Sequence, residues 1–195
     1  MVLKNICVYC GSSSGRSQIY TEQAELLARR LVERGIGLVY GGADVGIMGT
    51  LANAVLAAGG DVTGVIPEAL KKKEIAHKNL TELKVTKSMH ERKSLMADLS
   101  DGFIALPGGV GTLEEIFEMW TWAQLGFHAK PCGFLNVHGY YDHLSAFLDH
   151  TMKEEFIKPI HRRMLIVEKD SKALLDRFAT YTAPVVDKWI GRKET

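Results

Sequence analysis

The sequence predicts an α/β protein, a three-layer arrangement with a mainly parallel sheet flanked by helices. Three observations carry that prediction. Short apolar runs rich in β-branched residues alternate with longer stretches of helical periodicity. The glycine clusters Gly11, Gly41–Gly42 and Gly108–Gly109 all fall where an apolar run ends. Repeated strand–turn–helix units of this kind build a parallel sheet covered on both faces. In such sheets ligands collect beyond the carboxyl ends of the strands, so the glycine clusters predict one shared crevice.

The elements follow in order. "ICVYC" (Ile6 to Cys10) reads as the first strand, ended by "GSSSG". A helix runs from Ser17, a plausible N-cap, to Gly35, with Ile19, Ala24, Leu27 and Leu31 at helical spacing. "IGLVYGG" is a second strand. "GTLANAVLAAGG" is a helix closed by Gly59 and Gly60, and "DVTGVIP" is a third strand stopped by Pro67. Residues 68–79 read as irregular and Lys-rich, and Lys71 to Lys73 as a solvated loop rather than an anion patch. "LTELKVT" is a further strand, "MHERKSLMADLS" a helix and "GFIALP" an apolar strand. A helix is expected from Thr112 to about Gly126, followed by the strand "PCGFLNV". Two helical stretches then flank a last strand, "RMLIVE". No linker or repeat divides the chain, so residues 1–195 are expected to form a single nucleotide-binding domain.

Bulk properties exclude several classes. The formal net charge of +1 gives no support to a nucleic-acid binder, so an anion site has to be local. No run approaches the roughly 18 apolar residues of a membrane span, and no signal peptide is evident, so no membrane partner is expected. Three cysteines without a secretion signal point to reduced thiols and a cytoplasmic location. Cys7 and Cys10 form a C-x-x-C, but three apart on a strand they face opposite sides, and no second pair completes a zinc site. They read as buried strand residues, and no metal site is expected.

The stretch "LPGGVGTLEE" (Leu106 to Glu115) carries the chemistry. Neither the Walker pattern nor the dinucleotide G-x-G-x-x-G is present, which disfavours an ATP–magnesium site or a whole NAD. Yet Gly108, Gly109 and Gly111 let backbone N–H groups approach an anion, and a helix start adds unpaired donors and the positive end of its dipole. A monophosphate fits there without a metal. Thr112-x-x-Glu115 is also a capping box, with Thr at the N-cap and Glu three residues on. Glu115 is thus either a cap or a carboxylate beside a phosphate.

The nine residues Pro107 to Glu115 match P-G-G-x-G-T-x-x-E, and "GGADVGIMG" (Gly41 to Gly49) and "SMHERK" (Ser88 to Lys93) stand at the matching upstream positions. From "VYCGSS" to "GYYDHL" and beyond, the sequence resembles the Lonely Guy (LOG) family of cytokinin riboside 5'-monophosphate phosphoribohydrolases, formerly labelled "lysine decarboxylase-like". The resemblance implies a Rossmann-like fold, a homodimer and hydrolysis of the N-glycosidic bond of N6-substituted adenosine monophosphates, often of AMP, without a cofactor. Products are the free base and ribose 5-phosphate. It makes Arg92 and Glu115 the catalytic pair. It places substrate contacts at Ser12, Ser13, Gly42, Gly46, Gly49, Glu74, Met89, Lys93, Gly108, Gly109, Val110, Gly111, Thr112, Leu113, Glu114 and Thr121. Ala43 stands where the family often has a third glycine.

Chemistry and plainer readings compete at several of these positions. Breaking a ribosyl C–N bond builds positive charge on the sugar, which a fixed carboxylate at Glu115 can stabilise while it orients or deprotonates water. Arg92 can hold a carboxylate or phosphate with its rigid fork, but it is a poor proton donor. The donor to the leaving base is left open between water and His90, and His90 reads more simply as an exposed helical residue. Met89 fits packing and substrate contact alike, and Glu74 fits a surface acid. Leu113, Ile116, Phe117 and Trp120 form a packing stripe. Two other functions stand beside the hydrolase. One is a carrier of the same fold that binds a nucleotide or cofactor without cleaving it. The other is a pyridoxal-phosphate decarboxylase, for which Lys93 is the motif lysine.

Overall fold

A computed structural model describes residues 2–71 and 76–185. The strands are β1 (Asn5–Tyr9), β2 (Gly37–Tyr40), β3 (Val62–Pro67), β4 (Glu82–Thr86), β5 (Gly102–Ala105), β6 (Cys132–Leu135) and β7 (Leu165–Glu168). They form a seven-stranded sheet in the order β4-β3-β2-β1-β5-β6-β7, and each pairing between them is parallel. The chain therefore winds outward from β1 to β4, crosses back, and winds out the other way from β5.

Strand alternation divides the interior into two cores. Ile6, Val8 and Cys10 face one side, where α1 (Ile19–Glu33), α2 (Gly46–Ala57) and α8 (Ser171–Ala179) contribute Leu27, Leu31, Leu51, Val55, Leu174 and Phe178. Cys7 and Tyr9 face the other, with Met96 of α4 (Met89–Leu99), Ile116 and Trp120 of α5 (Val110–Gln124) and Leu148 of α6 (Asp142–Lys153). Helix, sheet, helix is the three-layer arrangement expected. The two cysteines of the C-x-x-C lie in different cores as free, buried thiols, and burial pushes both well above the usual thiol range. Fully protonated thiols on opposite faces of a strand form neither a redox pair nor a metal half-site.

Several boundaries differ from expectation. The end of β3 is not among them: the strand closes at Pro67, opposite Thr86, as expected. A short helix, α3 (Glu68–Lys71), opens the segment expected to be irregular. Lys72, Lys73 and Glu74 lie outside the described residues. Helix α1 is flanked by Gln18 rather than Ser17, and α2 begins at Gly46, ahead of the expected Gly49. A short α7 (Pro159–Arg162) precedes β7. Among the described residues, no helix is long and apolar enough to cross a membrane.

The start of α4 is where a side-chain cap does form. The Ser88 hydroxyl accepts from the Glu91 N–H at 3.1 Å, and the Glu91 carboxylate accepts from the Lys87 N–H at 2.7 Å. This reciprocal cap sets the first turn of the helix that carries Arg92 and Lys93. Ser88→Ala is expected to cost about 1 kcal/mol, read as a lower denaturant midpoint at unchanged m-value.

Candidate active site

Strand β1 lies between β2 and β5, where the direction of winding reverses, so the turns after these strands diverge and leave a crevice. A cavity of about 350 Å³ sits there, within the range of roughly 300–1,000 Å³ typical of small-ligand sites. Its wall comes from Val8 to Ser12 at the end of β1 and just beyond it, Gly41 after β2, Met48 of α2, Leu70 of α3, Arg92 of α4, and Gly109 to Thr112 with Glu115 on α5. A larger cavity of about 780 Å³ lies against α7 and α8. Its arginines include Arg162 and Arg177, already paired with Asp149 and Glu168, and it holds no acid–base pair.

One end of the crevice is built for an anion. Helix α5 does not begin at Thr112. Its N-cap is Gly109, and the Leu113 N–H already donates to the Gly109 carbonyl at 3.2 Å. The capping-box reading is therefore corrected. Thr112 is the third residue of the helix, 5% exposed, with its hydroxyl packed under Gly108, and Glu115 is a full turn too far along to cap. Glycine tolerates the N-cap position, and tertiary packing of Thr112 overrides its local preference. No side chain caps α5 among the described residues. Val110, Gly111 and Thr112, whose N–H groups belong to this uncapped first turn at the positive end of the helix dipole, line the cavity.

The turn that presents these donors is held from below. Gly11 N–H donates to the Pro107 carbonyl at 3.1 Å, Tyr141 hydroxyl to the Leu106 carbonyl at 2.7 Å, and Tyr140 hydroxyl to the Gly108 carbonyl at 2.7 Å. Tyr141 in turn stacks on Phe134 of β6 at 4.3 Å between ring centroids. These bonds engage the carbonyls of Leu106, Pro107 and Gly108 within the protein.

The other end holds the ion pair. Arg92 Nη1 lies 3.6 Å from Glu115 Oε1, with only 10% and 13% of the two side chains exposed. Arg92 Nε donates to the Val65 carbonyl at 3.1 Å, which fixes the guanidinium plane against the end of β3. Room for it exists because Gly41 has no side chain: a Cβ there would meet Arg92 Nη2 and the Met48 methyl. Burial raises Glu115 from an ordinary 4.5 to about 7, against the opposing pull of Arg92. A carboxyl poised near neutrality in a cleft is suited to proton transfer.

The remaining sequence-predicted residues divide by position. Ser12 lies in the cavity wall, and Ser13 lines an adjoining recess of about 300 Å³ with Gly108, Tyr20 and Tyr140. Gly42, Gly46 and Gly49 do not line the wall and shape the turn into α2 instead. Gly42 accepts from the His77 N–H at 3.0 Å, and Gly46 packs directly under the Ser12–Ser13 backbone. Met89 is 44% exposed, its sulfur 3.8 Å from Arg92 Nη1. Lys93 pairs with Glu114 and Glu118, outside the wall. Leu113 packs into the core, as do Ile116, Phe117 and Trp120 of the expected stripe. Thr121 is exposed on α5, its hydroxyl donating to the Phe117 carbonyl at 2.7 Å, and it does not reach this cavity. His90 is exposed and outside the wall, as its plainer reading has it. Glu74 falls outside the described residues. Among the described residues, no cluster of histidine, cysteine and carboxylate could hold a metal ion. Gly41, Met48, Leu70 and Tyr140 were not singled out as site residues from sequence. The signal for Gly41 was its place at a strand end; the other three have none locally.

Comparison with known proteins follows the geometry. A family model described as "Possible lysine decarboxylase" matches residues 48–178. The cytokinin riboside 5'-monophosphate phosphoribohydrolase LOG7 of Arabidopsis thaliana is 50% identical over 178 residues, 91% of this chain and 82% of that protein. The "Probable cytokinin riboside 5'-monophosphate phosphoribohydrolase LOGL9" of Oryza sativa subsp. japonica is 49% identical over 178 residues, 91% of this chain and 78% of that protein. Among solved structures, the molybdenum cofactor carrier protein of Chlamydomonas reinhardtii superposes with a TM-score of 0.69 at 19% identity, covering 91% of this chain and 99% of that one, a likeness of fold alone. On half-identity across nine-tenths of its length, with the matched motifs lining one crevice, the chain belongs to the LOG family of cytokinin riboside 5'-monophosphate phosphoribohydrolases.

Proposed function

We propose that this chain hydrolyses the N-glycosidic bond of adenosine 5'-monophosphates, plain or N6-substituted, to free base and ribose 5-phosphate. The observation that carries the proposal is the buried Arg92–Glu115 pair in the wall of a cavity whose other end is an uncapped helix start. The phosphate binds the N–H groups of Val110, Gly111 and Thr112 beside Gly109, with Ser12 opposite. That anchorage holds the ribose over Glu115. As the C–N bond lengthens, the Glu115 carboxylate stabilises the cationic sugar and takes a proton from the attacking water. Arg92 orients the carboxylate and favours its ionised form. We assign the proton for the leaving base to solvent, because His90 is exposed and does not line the crevice.

Of the competing functions, a carrier needs the anion cradle but not the buried carboxylate. A pyridoxal-phosphate decarboxylase needs a lysine whose ammonium is readily lost. Burial pulls Lys93 down, but its hydrogen bonds to Glu114 and Glu118 outweigh this and hold it above its ordinary value. We further propose that the chain is a homodimer. Light scattering of the purified protein reads the assembly directly.

The test is base release from AMP and from an N6-prenylated AMP. Release from either supports the hydrolase; binding of both without release establishes a carrier. The pH dependence follows from Glu115. Below about 7 its carboxyl is protonated and can neither stabilise a cation nor accept a proton. The acid limb of kcat/KM is therefore expected near pH 7, with activity rising as pH increases. A flat profile from pH 5 to 8 contradicts the role assigned to Glu115.

A further inference from the structure

Helix α5 carries three carboxylates within five residues, Glu114, Glu115 and Glu118, beside a site that binds a dianion. Lys93 of α4 meets the outer two. Its Nζ lies 2.6 Å from Glu114 Oε1 and 3.0 Å from Glu118 Oε2, with 12% of the side chain exposed. It stays outside the cavity wall, while Glu115 faces the cavity with Arg92. We propose that Lys93 is a positioning residue: it neutralises Glu114 and Glu118 and draws them away, leaving Glu115 as the carboxylate of this helix face that acts on substrate. The inference rests on the role of Glu115 proposed above.

Among the described residues, the charged groups facing Glu115 are consistent with this division. From α4 come Arg92 and Lys93; from its own helix come Glu114 and Glu118, which both oppose its ionisation. From β1 come Cys7, Tyr9 and Cys10, which burial keeps protonated. The two cations of α4 are thus the groups that offset the carboxylates. Arg92 does so by direct contact, and Lys93 by occupying the two rivals. An unpaired carboxylate at Glu118, one helix turn from Glu115 and 20% exposed, is only partly screened, so it would oppose both Glu115 ionisation and phosphate binding.

The experiment titrates the Glu115 carboxyl in the ligand-free protein by carbon-13 NMR, with its resonance assigned by loss in Glu115→Gln. In Lys93→Met the midpoint is expected to rise by about one unit. Lys93→Met combined with Glu118→Gln is expected to recover at least half of that rise, and Lys93→Arg to stay close to the parent. In turnover, Lys93→Met is expected to lose about five-fold in kcat/KM at pH 7 and to regain it at pH 9, as a one-unit rise from a midpoint of about 7 requires. An unmoved midpoint in Lys93→Met overturns the inference, whatever happens to KM. A raised midpoint that Glu118→Gln fails to lower overturns it too. Failure of the catalytic reading shows separately, as turnover that survives Glu115→Gln.

Discussion

Glu115→Gln is expected to lower base release from AMP by about a thousand-fold, while nucleotide binding and folding survive. Glutamine keeps the size and hydrogen-bonding shape of the side chain but cannot ionise, so the substitution removes charge and basicity at the sugar and little else. Stability supplies a second, independent readout. Glu115 is raised by burial from 4.5 in an unfolded setting to about 7 in the fold. Between those values the folded state holds a proton that the unfolded chain has released, so ionised Glu115 increasingly penalises the fold as pH rises, and the penalty levels off above 7. Glutamine carries no such penalty. The variant is therefore expected to melt higher than the parent at pH 8, with a smaller difference at pH 5. Near-normal turnover in this variant removes Glu115 from the mechanism. A lower melting temperature at pH 8 would show instead that the carboxylate stabilises the fold.

Gly46→Ala is expected to produce the largest loss of stability among substitutions around the crevice. Gly46 has a φ of 55°, and a Cβ there would run into the carbonyl of Ser12 and the nitrogen of Ser13. Both neighbours are backbone, with no rotamer to yield. A left-handed backbone costs a side-chain-bearing residue about 1–3 kcal/mol, and overpacking adds about 1–3 more. In a domain of this size that corresponds to a fall in Tm of roughly 10 °C. Gly59→Ala separates the two contributions. Gly59 has a φ of 80° but nothing within 4 Å of a built Cβ, so it incurs backbone strain without collision. Gly46→Ala should therefore melt several degrees below Gly59→Ala, and it should also raise KM for AMP by displacing the Ser12–Ser13 turn. Equal melting temperatures for the two variants would refute the packing account of Gly46.

These two residues also mark where sequence reading stopped. Both belong to motifs of the same family match, and both read as parts of the substrate site. For Glu115 the linear context offered two roles at once, because Thr112-x-x-Glu115 satisfies the pattern of a capping box. The same pattern at Ser88-x-x-Glu91 does cap its helix. What separates them is not local. At the start of α5, Gly109 takes the N-cap position while Thr112 turns inward beneath Gly108, and this follows from β5 delivering the chain next to the turn after β1. Gly46 likewise reads as a substrate-contact glycine, and the Ser12–Ser13 backbone lies directly on it.

The sequence alone determined the α/β class, the order of the strands and of the longer helices, the position of the crevice at the glycine-ended strands, and the placing of the two cysteines on opposite faces of the sheet. Periodicity and turn chemistry are local signals, and a parallel sheet reads out almost directly from them. Tertiary structure decided which motif residues face the cavity and which support it. It set Arg92 beside Glu115 through the absent side chain of Gly41 and the carbonyl of Val65, and it gave Lys93 to Glu114 and Glu118. It also raised the Glu115 carboxyl toward neutrality. Those outcomes depend on burial and on contacts between segments far apart in the chain, and neither has a period that a single sequence displays.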